Sequence, residues 1–412
     1  MATTTGGALR AEDLPLGRRI AAFALLMWFE FFYGWSWNTV DVLRPQLRES
    51  IGLSLTEVGL AYTAQSIGAL IGAVVLGQVA DHRGRRTTLF WIVVGYSALA
   101  AAGSLVETFT ALMVQRFALG FFLGGIFPVL IATYMGLFPS NMRGKLAALG
   151  QGTYNISVMA LGWSLAWAVG RDWHILLWAG SIPALVAAPL IFLIIPDDRH
   201  VRAWGADAEP PKISKLPIVE LFSPTLRGRT GRLFLLVGLN FFAYQAFAGW
   251  VTTYLKETHG LGDQVVGPLI AWQFGGAVIG GFFWGWFADR YGRRPAGIGF
   301  VAGALAVIAY LLLADSPAEW RWAGAAWGFM ITASVAWAPW MSELFPAHLR
   351  STAMSIFNWG RIISMTAPIV TALVAEQFGL QYAMLLSAVG FGLGALVWFT
   401  LPETIKRGES RS

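Results

Sequence analysis

Apolar stretches of about 20 residues, the length needed to cross a roughly 30 Å hydrocarbon core, recur twelve times along the chain and are separated by short polar turns. Their approximate extents are 19–46, 55–79, 87–104, 108–135, 145–168, 173–195, 232–254, 263–287, 296–313, 320–343, 351–373 and 379–401. One longer polar, proline-containing interval, PDDRHVRAWGADAEPPKISKLP within residues 196–231, divides six stretches from six. The pattern predicts an all-α membrane protein of twelve transmembrane helices. It consists of a cytoplasmic tail (1–18), a six-helix bundle (19–195), a cytoplasmic linker (196–231), a second six-helix bundle (232–402) and a short cytoplasmic tail (403–412).

The two halves share landmarks at an offset of about 208 residues. Gln65, Gly72, Gly77 and Asp81 match Gln273, Gly280, Gly285 and Asp289, and GLFPSNMRG at 136–144 matches ELFPAHLRS at 343–351. GQVADHRGRR at 77–86 returns as GWFADRYGRR at 285–294. An even number of spans per half gives both copies the same orientation, as in parallel-repeat transporters, and makes the cleft between the halves the expected binding site.

Charge sets the expected orientation. With both termini cytoplasmic, about 22 of the 29 basic residues fall inside and about four outside (Arg48, Arg171, Lys256 and Arg321), as the positive-inside rule predicts. The net charge of +6 is then an inner-leaflet signature, not a nucleic-acid footprint. A composition of 56% apolar and 13% charged residues points to a lipid bilayer as the main surroundings. The chain has no cysteine, which excludes disulfides, thiolate metal sites and cysteine nucleophiles. His82, His174, His200, His259 and His348 are scattered, without metalloprotease spacing. No metal or cofactor is expected, and no catalytic constellation stands out, so the chain does not read as an enzyme.

The doubled loop resembles the signature between spans 2 and 3, and again between spans 8 and 9, of the major facilitator superfamily. RFALGFFLGG at 116–125 is similar to the Arg-then-Gly motif of that superfamily's fourth span. The resemblance runs from about residue 19 to 402 and implies two six-helix domains that rock about a central site. It also implies a latch at the loops, here Gly77, Asp81, Arg85, Arg86 and Arg143 with Asp289, Arg293 and Arg294. Small residues there let helix ends approach, Asp81 accepts hydrogen bonds, and the arginines meet acidic groups or lipid phosphates. The alternative is that these arginines only fix topology.

Ionisable residues at membrane depth are costly, so each is a functional candidate. Glu30 and Asp41 lie in span 1, eleven residues apart and so on nearly one helix face. Their counterparts in span 7 are Gly238 and Gly249, which assigns the acidic work to the N-terminal half. Arg116 in span 4 falls at the depth of Asp41, and the three are candidates for proton coupling. The alternative for Asp41 is a local pair with Arg44, three residues on. Arg361 falls near the midplane of span 11, with Asn358 one turn earlier, a donor set suited to a carboxylate. Its alternatives are capping by backbone carbonyls or a pair with Glu30. Tyr33, Trp37, Tyr62, Gln65, Gln151, Asn155, Asn240, Tyr244, Gln245, Gln273 and Trp359 complete the expected cavity lining.

GRIISMTAP at 360–368 resembles the span 11 segment of aromatic-acid and other metabolite:proton symporters. Their span 1 usually carries two acids in DG(F/Y)D, whereas YGWS at 33–36 has neither. Span 5 lacks the Gly-Pro signature of drug:proton antiporters. The reading is a monomeric bacterial-type inner-membrane importer of a small organic anion with protons. The alternatives are a neutral sugar or polyol symporter and, further off, a drug:proton antiporter.

Overall fold

In the computed structural model, which describes residues 9–139, 142–204, 217–346 and 349–405, helices account for nearly all regular structure. The N-terminal spans are Leu16–Val42, Leu55–Arg83, Arg85–Leu105, Phe109–Leu137, Arg143–Trp167 and Ile175–Ile194, numbered 1 to 6 here. Spans 7 to 12 are Arg227–Thr258, Asp263–Tyr291, Pro295–Leu312, 317–344, 350–378 and Leu380–Thr400. Nine are apolar enough over a continuous helix to cross a bilayer unaided. The other three are span 5, whose first half carries Gln151, Thr153 and Asn155, and spans 10 and 11, which are interrupted. Span 10 tightens to a 3-10 helix over Thr332–Ala336. Span 11 breaks at Ser355 and again before Ala367. The only strands among the described residues are Leu9–Arg10 and Val201–Arg202, a two-residue parallel pair that ties the N-terminal tail to the linker.

Local chemistry explains where the spans begin and turn. Ser54 and Glu57 form a capping box at the start of span 2, and Ser316 and Glu319 form one at the start of span 10. The chain reverses between spans 2 and 3 at Gly84 (φ 92°) and between spans 8 and 9 at Gly292 (φ 117°), backbone conformations that favour glycine.

Within each half, small residues set the packing. Gly68, Gly72 and Gly120 bring spans 2 and 4 together against the carbonyls of Phe117, Phe121 and Gln65. Gly276, Gly280 and Gly328 do the same for spans 8 and 10 against Ala325, Phe329 and Gln273, each 208 residues later. The repeat read in the sequence is thus a repeat of backbone-to-backbone seams.

Between the halves, the main contacts pair span 5 with span 8 and span 2 with span 11. Gly162 meets Gly267 in the first pair, and Gly59 meets Pro368 in the second. Inter-half hydrogen bonds among the described residues join Asp41 to Gln245, Gln46 to Asp263, Arg48 to Glu257, Thr56 to Glu376 and Thr63 to the Met365 carbonyl. All lie in the part of the bundle away from the two termini. On the opposite side the first turns of span 5, including Lys145, Leu149 and Gln151, are exposed.

Candidate functional site

Span 1 runs through the middle of the site and presents two carboxylates in turn. Glu30 is 4% exposed, and its Oε2 has no hydrogen-bond partner among the described residues. Its titratable neighbours are the hydroxyls of Tyr33, Tyr96 and Tyr134. The expected alternative pair of Glu30 with Arg361 is not formed among the described residues.

Asp41 sits about 16 Å further along the helix at 1.5 Å per residue. Its direct ion pair is with Arg44, Nη2 to Oδ1 at 2.5 Å, and not with Arg116. Gln245 of span 7 donates to the same oxygen at 2.8 Å. Arg116 bonds Thr39 Oγ1 at 3.3 Å and acts on Asp41 only through space. The reason is local: span 1 ends at Val42, and the turn into the short helix Arg44–Ile51 swings Arg44 back over the carboxylate.

Arg361 lies over the Trp37 ring, its guanidinium carbon 4.6 Å from the centroid, the stacked arrangement in which a planar cation is held by an aromatic face. Trp37 stands 6.0 Å from Tyr33 and 6.2 Å, edge on, from Tyr62. Tyr33 is in turn 6.0 Å from Tyr154, whose hydroxyl accepts a 2.8 Å hydrogen bond from Asn38. The hydroxyls of Tyr33 and Tyr62 lie in the field of Arg361. A cation contributed by the C-terminal half is therefore ringed by aromatic side chains of the N-terminal half. Arg361 is only half-buried, so this face is accessible.

The remaining expected residues divide. Tyr244 keeps a hydroxyl without a partner among the described residues, within the field of Asp41, and packs 5.8 Å from Trp327. Asn155 and Asn240 are buried, while Gln151 is exposed. Gln65 is absorbed inside its own bundle, donating to the Trp37 carbonyl at 3.1 Å. Gln273 is also held within its bundle, close to Gly324 of span 10, and both polar atoms of its side chain are unpartnered among the described residues. Trp359 stacks on Phe222 next to the linker (6.0 Å, 15°) and not beside Arg361. The side chains of Asn358 and Arg143 lie outside the described residues. Among the described residues, no three His, Asp or Glu side chains are grouped closely enough to hold a metal.

The duplicated loops are tied within their own halves, with no described contact across them. Asp198 accepts the backbone N–H of Arg85 at 3.0 Å, and Arg85 Nη1 reaches the Ala132 carbonyl at 3.1 Å. Asp197 accepts from both Arg86 and Arg199 at 2.9 Å. The Arg199 guanidinium first, then its backbone N–H and Arg86, hold the Asp197 carboxyl well below the usual range. In the second copy Arg293 bonds Asp289 at 2.7 Å and Glu343 at 3.1 Å. Glu403 accepts the N–H groups of Arg293 and Arg294 at 3.0 and 2.8 Å. Asp81, by contrast, is exposed and has no partner among the described residues. Gly77 faces open space and makes no close helix contact.

The model of the major facilitator superfamily matches residues 26–361 and again 233–412. The chain belongs to the major facilitator superfamily. It is accordingly a multi-pass membrane transporter and not an enzyme. It is 27% identical to a probable 4-methylmuconolactone transporter of Cupriavidus pinatubonensis, with 90% of this chain and 89% of that one aligned. It is 26% identical to a gallate transporter of Pseudomonas putida over 95% of this chain and 91% of the other. Its fold matches a bacterial homologue of the human lysosomal transporter Spinster, crystallised inward-facing and unoccupied. The TM-score is 0.76 at 16% identity, covering 94% of this chain and 97% of the other.

For this superfamily member, sequence reading missed Asn38, Tyr154 and the acids that hold the loops. Asp197, Asp198 and Glu403 had a signal, because Pro-Asp-Asp at 196–198 and Pro-Glu-Thr at 402–404 follow the sixth span of each half. Asn38 lies one turn after Gly34 on the polar face of span 1, and Tyr154 adjoins Asn155.

Proposed function

We propose that this transporter imports a small organic acid together with protons by alternating access, from a monomer in the bacterial inner membrane with both termini cytoplasmic. The observation that carries this reading is Arg361 of one half stacked on Trp37 of the other, inside a ring of Tyr33, Tyr62 and Tyr154. A guanidinium takes a carboxylate with two parallel hydrogen bonds, and the rings offer flat apolar faces to an unsaturated body. The named relatives, transporters of 4-methylmuconolactone and of gallate, carry substrates of that kind. With the loops' arginines on the cytoplasmic side, the inter-half contacts close the outer face, and the described state opens inward. Binding one proton per monoanion makes the load neutral, so an inside-negative potential does not oppose entry. Glu30 is the proton carrier by virtue of its enclosed, cation-free surroundings; Asp41, held by Arg44 and Gln245, links protonation to closure of the outer face.

The test is uptake of radiolabelled gallate into proteoliposomes with an imposed pH gradient, acid outside. The expected result is accumulation that a protonophore abolishes. Arg361→Lys should lower affinity about tenfold or more by removing bidentate geometry, and Glu30→Gln should exchange gallate without concentrating it. Uptake of a neutral sugar with no response to any acid would overturn the proposal.

A further inference from the structure

Import as described gives Asp41 a task and leaves its two cationic neighbours without one. Arg44 is fully buried and Arg116 is 1% exposed, and Asp41 is the single carboxylate that acts on either. Arg44 spends one nitrogen on Asp41 and holds its guanidinium carbon 4.0 Å from the centroid of the Trp250 ring, while its Nε and Nη1 bond nothing among the described residues. Arg116 donates Nη1 to Thr39 and leaves its Nε unbonded. Two permanent cations thus share one carboxylate, and three enclosed nitrogens lack an acceptor among the described residues. Unsatisfied donors of this kind are rare and call for an explanation, the more so on charged groups away from water. Trp250 and Gln245 belong to span 7, so the set straddles the seam between the halves on the face away from the termini, between that face and Arg361.

We infer that Arg44 and Arg116 form a second anion site, which receives the carboxylate of the incoming acid before it reaches Arg361 and for which Asp41 is the built-in competitor. The inference rests on the organic-acid reading above. Ionised, Asp41 occupies Arg44 and keeps the substrate carboxylate out. A proton taken onto the Asp41 carboxyl ends its claim on Arg44, and the substrate anion takes its place. No covalent bond other than that O–H changes. The set carries +1 before the exchange (two arginines, one aspartate) and +1 after it (two arginines, one bound anion), so the step is electroneutral within the protein. The other titratable groups facing Asp41 and Arg44 are the hydroxyls of Tyr62 on span 2 and Tyr244 on span 7. Phenols ordinarily titrate near 10, so Asp41 is the acid of the set whose charge the exchange turns on. Gln245 contributes a neutral donor that rewards the ionised form.

The experiment is equilibrium binding of radiolabelled gallate and benzoate to the purified full-length protein in nanodiscs at pH 5.5 and 7.5. Wild type should bind more tightly at pH 5.5. Asp41→Asn should bind at both pH values with the affinity that wild type shows at low pH. Adding Arg44→Gln to Asp41→Asn, a pair in which both charges are gone, should cost about tenfold or more in affinity, with melting temperature and elution volume as checks on folding. An unchanged pH dependence in Asp41→Asn, or no loss on adding Arg44→Gln, overturns the inference. If wild type binds neither acid, the organic-acid reading has failed, and the anion site is judged separately by melting in sodium bromide against sodium gluconate at equal ionic strength. Bromide should then stabilise Asp41→Asn, and the double variant should lose the effect; no difference between the two salts overturns the site as well.

Discussion

Gly162 is the point at which one added carbon tests how the two halves separate. A Cβ there would lie 2.8 Å from the Gly267 carbonyl oxygen, 2.9 Å from the Ala271 nitrogen and 3.3 Å from the Ile270 Cβ, all on span 8 of the other half. Two of these are backbone atoms that cannot rotate away. Carbon makes its best contacts at about 3.5 to 4.0 Å, so Gly162→Ala requires spans 5 and 8 to part by about 0.5 Å or more. Overpacking of this kind costs about 1–3 kcal/mol, and the cost falls only on the state in which these faces touch. At 1.36 kcal/mol per factor of ten, the open state gains roughly 5- to 150-fold in population. The absence of cysteine makes the assay clean. Thr63→Cys places one thiol at the other contact between the halves, that of spans 2 and 11, where Thr63 bonds the Met365 carbonyl at 2.8 Å. Labelling by a membrane-impermeant maleimide added outside then reports the open fraction. Gly162→Ala should speed labelling by that factor. Gly275→Ala, whose new carbon would sit 3.8 Å from Met159 Sδ, should not. Equal rates in the two variants would refute the claim that the Gly162 and Gly267 contact belongs to the outward-closed state alone.

Other expectations follow from the same geometry. Asp197 is held below its ordinary range by Arg199 and Arg86, so its contribution to stability is complete above the unfolded carboxyl value of about 3.9 and is lost as pH falls below it. The melting temperature of Asp197→Asn should lie below that of wild type at pH 7, and the gap should narrow progressively as pH falls below about 4; a constant gap would show that the carboxylate's charge is not what stabilises the loop. Trp37→Leu removes the ring under Arg361, a contact worth about 0.5–2 kcal/mol, and should weaken gallate binding about 2- to 30-fold in a competition assay. Trp359→Leu, on the linker side, should leave that affinity unchanged.

The twelve spans were legible because a bilayer imposes both a length and a composition, and the repeat was legible because the glycine seams recur at a fixed offset. The breaks in spans 10 and 11 were legible only in part: Pro339 has no N–H for the Val335 carbonyl and Pro368 none for that of Ser364, whereas the region around Ser355 contains no residue that forbids an α-helix, and tertiary packing decides. At the site, depth along a helix identified Glu30, Asp41, Arg116 and Arg361. Depth says nothing about azimuth, and so it put Arg116 beside Asp41, whereas the alternative read from the i,i+3 spacing, Arg44, is the pair that the structure forms. The same blindness placed Trp359 in the cavity and left out Tyr154, one residue from the Asn155 that was chosen. Gln65 and Gln273 looked like lining because polar residues at mid-membrane usually are; each instead points within its own bundle.

The two loops, which share six of ten residues, are wired differently. In the second copy Arg293 bonds both Asp289 and Glu343, while Glu403 holds the adjoining backbone. In the first, Asp81 is left exposed although its twin Asp289 is bonded. Both halves carry the same part, yet the aspartate that is riveted to its arginine in the second copy has no partner among the described residues in the first. Comparison of such internal twins separates the contacts that both halves keep, arginines tied to carboxylates, from the one that a single half keeps.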